Sequence, residues 1–172
     1  MRKIRIEKLT LNIGAGKDQV ALEKGMALLK QITGIEPVKT RTNKRIAGWG
    51  LRPGLPIGCK LTLRGEKASE LMSRLLSARD NKLSLTNFDN NGNISFGIQE
   101  YIDIPGVKYD NKIGIIGLQI SLTLERPGFR IKKRKIMKRK IPSKHRISRE
   151  AAVKYMKGEY SLNLEEEQKE EE

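Results

Sequence analysis

The sequence predicts an α+β fold: a mostly antiparallel sheet with helices packed on one face, an open polar face on the other, and a basic C-terminal extension. Three features predict it. Short segments alternate apolar and polar residues with the period of a half-buried strand, two stretches between them carry apolar residues at helical spacing, and one later stretch is almost wholly basic. Strands with a single apolar face need cover on one side only, so two helices suffice.

The first strand reads from Ile4 and Ile6 through Leu9, Leu11 and Ile13, with a change of phase near Glu7 and Lys8 that a β-bulge would explain. Gly14 and Gly16 break it. Asp18 can cap a helix whose apolar face is Leu22, Met26, Leu29 and Ile32 and whose end is marked by Gly34. A short strand over Val38 to Thr40 leads into Thr42 to Pro56, which holds three Gly and two Pro and reads as a long loop ringed by Arg41, Lys44, Arg45 and Arg52. Loops of that length tend to be functional. Ile57, Cys59, Leu61 and Leu63 then alternate with Gly58, Lys60, Thr62 and Arg64, a strand with one greasy and one basic face that places Cys59 in the core. Ala68, Leu71, Met72, Leu75 and Leu76 form a helical stripe ending near Asp80. The turn-rich Asp89 to Asn93 introduces a strand marked by Ile94, Phe96 and Ile98. In the last strand Ile116, Leu118, Ile120, Leu122 and Leu124 oppose Gly117, Gln119, Ser121, Thr123 and Glu125, and a short helix runs from Ser148 to about Lys157. No internal repeat is present.

The 172 residues suit one domain with appendages, and 37% hydrophobic residues can build a core although 32% are charged. The net charge of +15 is uneven. Residues 1–129 carry +9 and form the expected α+β RNA-binding domain. Residues 130–149 carry +11 with no acid: Arg130, Lys132, Lys133, Arg134, Lys135, Lys138, Arg139, Lys140, Lys144, Arg146 and Arg149. Such a run repels itself, so it is expected to stay extended or disordered until a polyanion neutralises it. Against the plain alternative of a solvated face, nucleic-acid contact is the preferred reading, a basic RNA-binding arm. Residues 150–164 read as the short helix and a linker, and 165–172 as an acidic, solubilising tail. No apolar run approaches the ~18 residues that cross a bilayer, and Met1 to Thr10 has no signal-peptide core, so a soluble, unexported protein without a membrane partner is expected. The single Cys59 excludes an internal disulfide or a multi-cysteine zinc site and points to a reducing compartment.

Catalytic and cofactor motifs fail on inspection. Gly14, Gly16 and Lys17 resemble a phosphate-binding loop, but the required earlier Gly is Leu11 and the required Ser or Thr is Asp18. The preferred reading is a tight turn whose backbone amides touch an RNA phosphate. His145 has no second metal ligand and no orienting carboxylate, so in a basic arm it reads as an RNA contact. Trp49 has two readings, a plug for the edge of the core or a ring that packs on RNA with Lys44, Arg45 and Arg52 taking phosphates. An RNA-processing enzyme with a basic tail is the rival class, and it needs a carboxylate cluster that Asp18, Asp80, Asp89, Asp103 and Asp110 do not form in sequence. A DNA packer would explain the charge but not the core with an open polar sheet face.

The segments KLTLNIGAGK (Lys8 to Lys17), KTRTNKRIAGWGLRPGLPIGCKLTLRG (Lys39 to Gly65), FGIQEYIDIPGVKYD (Phe96 to Asp110), ERPGFRI (Glu125 to Ile131) and KHRIS (Lys144 to Ser148) resemble the universal large-subunit ribosomal protein number five family. The last two resemble its archaeal and eukaryotic branch. The resemblance runs from about Arg5 to Met156 and implies an α+β fold and a structural, non-enzymatic protein of the cytoplasmic large ribosomal subunit, without cofactor or metal. It implies 5S rRNA binding in the central protuberance, contact with the large-subunit rRNA and neighbouring protuberance proteins, a bridge to a small-subunit head protein, and an approach to P-site tRNA. It places 5S rRNA contacts on Lys8, Asn12, Arg52, Lys60, Thr62 and Arg64, although Pro53 stands where the bacterial pattern has glutamine. The loop carrying Thr42, Asn43, Lys44, Arg45 and Trp49 resembles the family's tip that approaches tRNA. The segment carrying Asp103, Ile104, Pro105, Gly106, Lys108 and Lys112 resembles the part that faces the small subunit. Arg130, Lys132, Lys133, Arg134, Lys135, Lys138, Arg139, Lys140, Lys144, His145 and Arg146 form the rRNA-binding arm.

Overall fold

Alternation along the strands decides which residues are buried. In the computed structural model, which describes residues 1–165, the chain runs through β1 (Arg5–Gly14), α1 (Gln19–Thr33), β2 (Val38–Arg41), β3 (Pro56–Leu63), α2 (Glu66–Ser77), β4 (Lys82–Ser84), β5 (Ile94–Ile98), β6 (Leu118–Glu125), α3 (Arg149–Tyr160) and β7 (Asn163–Glu165). Five strands form one mostly antiparallel sheet in the order β2-β3-β1-β6-β5. The fold is α+β, as the alternation predicts. Leu9, Leu11 and Ile13 of β1, Cys59, Leu61 and Leu63 of β3, Ile94, Phe96 and Ile98 of β5, and the even-numbered residues of β6 are buried, while Lys60, Thr62, Ser95, Gln119 and Ser121 are exposed.

The change of phase in β1 has a counterpart in the pairing. Asn12 bonds Gln119 and Arg5 bonds Glu125 through their side chains, pairs seven residues apart on β1 and six apart on β6, which accords with the change of phase.

The chain divides into two compact units. One holds Thr10–Leu63 and Gly97–Ile120. Within it, Asp18 caps α1 by accepting from the Val20 amide at 2.8 Å, and Gly34 ends the helix in the left-handed conformation. Such a cap contributes about 1 kcal/mol. Leu22, Leu28, Leu29 and Ile32 are buried, and α1 lies against β3 with Gly25 facing Ile13 and Cys59. Gly58 sits where β3 approaches β1: a Cβ there would stand 2.6 Å from the Ile13 carbonyl oxygen and 3.1 Å from Thr40 Oγ1.

The other unit holds Met1–Leu9, Arg64–Phe96 and the chain from Ser121 onward. The stripe of α2, Ala68, Leu71, Met72, Leu75 and Leu76, is buried as expected. A two-stranded parallel sheet of β4 and β7, with Leu83 opposite Leu164, has no counterpart in the sequence reading. Ser148 caps α3 through the Ala151 amide at 3.3 Å, and Ala152 and Met156 are buried. The basic stretch is more structured than its self-repulsion suggests, because Phe129, Ile141 and Ile147 are buried and short 3-10 turns form at Phe129–Lys132 and Ser143–His145. Gly92, at φ +76°, admits this stretch: a Cβ there would lie 2.5 Å from Ile147 Cγ2. Of the acidic tail, all but Glu165 lies outside the described residues.

Gly58→Ala should destabilise the protein by about 1–3 kcal/mol, since the added methyl meets backbone rather than a movable side chain. Thermal melting checks this, and an unchanged midpoint would mean that β1 and β3 are not held so close.

Candidate nucleic-acid interface

In the unit built on β3, the open face presents Lys60 and Thr62, both exposed, beside the half-buried Asn12. Asn12 lies within β1 rather than in the turn after it, and its amide nitrogen donates to Gln119 Oε1 at 3.0 Å. Its amide oxygen is left to accept, as a ribose hydroxyl or a base amine requires. The turn at Gly14 and Gly16 corrects one expectation. The amides of Ala15 and Gly16 both donate to the Ile57 carbonyl, at 2.9 and 3.0 Å, so they are not free for a phosphate.

The loop Thr42 to Pro56 is tied twice. At its neck, the Thr42 amide donates to the Leu55 carbonyl at 3.0 Å and the Gly54 amide donates back to Thr42 at 2.8 Å. Nearer the tip, Ile46 and Leu51 exchange backbone bonds at 3.0 and 3.1 Å around a 3-10 turn at Ala47–Trp49. Thr42 is buried and its hydroxyl bonds the backbone of Lys44, so it supports the loop rather than facing a partner. Trp49 is 69% exposed, which removes the core-plug reading. Asn43, Lys44, Arg45 and Arg52 are exposed around it. Sequence reasoning misses Lys17, whose aliphatic stem lies against Gly50 at this tip, because in sequence it stands out only as part of a failed phosphate loop.

The segment expected to face a partner subunit is anchored by Tyr101 and Ile104. Ile104 is 1% exposed and Tyr101 is buried with its hydroxyl accepting from the Asp110 amide at 3.0 Å. Asp103, Pro105, Gly106, Lys108 and Lys112 are exposed, and the Lys108 carbonyl accepts from Gln31 of α1 at 3.0 Å. Ile104 is therefore a support for that surface and not part of it.

In the other unit, Lys8 is half-buried and Arg64 is exposed, its guanidinium donating to the Glu7 carbonyl at 3.2 Å. The arm begins with an ion-pair cluster. Lys133 lies 2.6 Å from the Glu7 carboxylate and 3.3 Å from that of Glu125, which also holds Arg5 at 2.7 Å. Burial pushes the Glu125 carboxyl up, but hydrogen bonds and charge from Arg5 and Lys133 outweigh it and the net shift is down. Burial likewise opposes the charge on Lys133, and bonds to Glu7 and Glu125 raise it overall. Lys133 is thus already neutralised by two carboxylates. Lys132 sits over the Phe129 ring at 4.9 Å, and His145, edge-on to the same ring, bonds the Pro127 carbonyl at 3.0 Å. His145 locks the arm in place, while Arg130, Arg134, Lys135, Lys138, Arg139, Lys140, Lys144 and Arg146 are exposed.

Several of the groups that catalysis could draw on have structural roles. Burial pushes the Cys59 thiol up to about 11, so it stays protonated at neutral pH. Asp18 caps a helix, Asp89 holds three asparagines, and Asp110 accepts from the Lys112 amide. Among the described residues no group of three His, Cys, Asp or Glu could hold a metal, and no helix is long and apolar enough to cross a membrane.

Comparison with known proteins gives this geometry a family. Residues 1–52 match the family model described as ribosomal protein L5, and residues 56–155 match the model that describes the C-terminus of the same ribosomal family. The large ribosomal subunit protein uL5 of Nanoarchaeum equitans is 49% identical over 95% of this chain and 97% of its own length. The chain belongs to the ribosomal protein L5 family. The uL5 proteins of Methanobrevibacter smithii, at 45% identity, and Sulfurisphaera tokodaii, at 44%, match over the same 95% of this chain and over 96% and 93% of their own lengths.

Two outcomes follow for this L5-family chain. Because Glu125 is shifted down, its contribution to stability is full above the unfolded carboxylate value of about 4.3 and fades as pH falls through the lower folded value. That of Lys133 is full below about 10.4 and fades as pH rises through its higher folded value. Glu125→Gln should therefore lower the melting temperature at pH 7, by an amount that shrinks as pH falls below the unfolded carboxylate value of about 4.3. In RNA-binding titrations, Lys135→Gln should reduce the slope of log affinity against log salt by roughly 0.7–0.9, while Lys133→Gln leaves it nearly unchanged.

Proposed function

We propose that this chain is a structural protein of the cytoplasmic large ribosomal subunit that binds 5S rRNA and helps attach it to the large rRNA in the central protuberance. The observation that carries the reading is the pairing of an exposed, polar strand face, Lys60 and Thr62 beside the half-buried Asn12, with a basic loop whose tryptophan stands out in solvent. Hydroxyl and amide groups on a rigid sheet can reach ribose hydroxyls and base edges in the shallow minor groove of RNA, and arginine and lysine supply the phosphate attraction. Arg64, Lys8 and Arg52 extend the 5S rRNA contact set. The loop tip of Asn43, Lys44, Arg45 and Trp49 contacts P-site tRNA, and the surface of Asp103, Pro105, Gly106, Lys108 and Lys112 bridges to a small-subunit head protein. The exposed arm residues hold the large rRNA, and neighbouring protuberance proteins complete the set of partners.

The test compares 5S rRNA with a scrambled RNA of equal length. Thr62→Ala or Arg64→Ala should weaken binding to 5S rRNA by roughly tenfold and leave the scrambled RNA little changed, whereas Lys135→Gln combined with Lys138→Gln, both at exposed positions, should weaken both. Equal losses on the two RNAs from the point variants would remove these residues from the specific site.

A further inference from the structure

A cavity of about 390 Å³ lies between the turn Asp89 to Asn93 and the basic arm. It is near the lower end of the roughly 300–1,000 Å³ that small-ligand sites occupy. Its walls are of three kinds. Lys132, Lys140 and Arg146 bring positive charge, and among the described residues no carboxylate lines it. Phe129 and Ile141, together with two further aliphatic side chains, make an apolar surface. Asn91 and Asn93 bring amides, and both donate through Nδ2 to the Asp89 carboxylate, at 3.2 and 3.1 Å. Each of these side chains keeps its amide oxygen as an acceptor and a second N–H as a donor.

The fold builds this cavity. Asp89 accepts from the Asn90 amide at 2.6 Å and the Asp89 amide donates to the Asn93 carbonyl at 2.9 Å, which closes the turn. The missing side chain of Gly92 lets Ile147 of the arm seat against that turn. Arg146 donates through Nε to the Ile141 carbonyl at 3.3 Å, fixing the arm's far wall.

We propose that this cavity receives one unstacked nucleotide of the bound RNA, a proposal that rests on the reading of the chain as an rRNA-binding protein. Each wall matches one part of a nucleotide. The cations meet the phosphate, the aliphatic and aromatic surface desolvates a base, and the asparagine oxygens accept from an exocyclic amine, which adenine, guanine and cytosine carry and uracil lacks. A bare anion would leave the apolar walls unused. An A-form duplex is too wide for the space, so the nucleotide comes from a bulge or loop.

The test uses the full chain, isotopically labelled, titrated at constant ionic strength with cytidine monophosphate, uridine monophosphate and inorganic phosphate. Cytidine monophosphate should move the backbone signals of Asn91, Asn93, Ile141 and Ile147 saturably, uridine monophosphate should bind more weakly, and phosphate should leave the apolar-wall signals of Ile141 and Ile147 in place. Lys140→Gln, at an exposed position, and Arg146→Gln should each weaken the nucleotide response by roughly tenfold. Identical responses to phosphate and nucleotide, or shifts confined to other surfaces, would overturn the proposal. Binding of the same samples to 5S rRNA against the scrambled RNA separates the two claims. Retained 5S preference with a silent cavity sinks the nucleotide site alone, and lost preference sinks the reading beneath it.

Discussion

The two-residue period of the strands is the constraint from which the rest follows. β3 is held because Cys59, Leu61 and Leu63 are buried, and that burial leaves Lys60 and Thr62 no position but the opposite face. The same alternation in β1 and β6 brings Asn12 and Gln119 to a common face, where each satisfies part of the other's hydrogen-bonding capacity. Polar groups displayed this way keep fixed spacings set by the sheet, so they can recognise a shape. Long flexible cations alone cannot do that.

Positive charge is divided by its partners more than by its place in the sequence. Lys133 is bound between Glu7, whose carboxylate side chain is only 7% exposed, and Glu125. A carboxylate so placed needs a cation, and the arm supplies it, so one of the arm's charges stabilises the protein's own fold. Lys132 and His145 pack on or against Phe129. Most of the remaining basic side chains of the arm are exposed to solvent.

The sheet and helices were legible because their signals are local and repeated. The change of phase in β1 could be read from five apolar residues, and both ends of α1 from Asp18 and Gly34. What escaped lacks such repetition. β4 and β7 are three residues each and pair in parallel across about eighty positions, so neither shows a period. Ile141 and Ile147 are isolated apolar residues in a basic stretch, and it is their burial, with the space left by Gly92, that shows them seated. In the expected site, residue type pointed correctly to polar exposure for Lys60, Thr62, Arg52 and Lys44. It could not tell that Thr42 and Ile104 are buried supports or that Lys133 is already paired, since those facts depend on contacts distant in sequence.

The central claim is that the open sheet face, not the helical side, reads 5S rRNA. Photo-crosslinking tests it most directly, with the crosslinker placed either at residue 62 on β3 or at residue 23, an exposed position on α1. Crosslinks to defined 5S rRNA nucleotides from residue 62, and few or none from residue 23, are the predicted result. Efficient crosslinking from residue 23 with none from residue 62 would contradict the account.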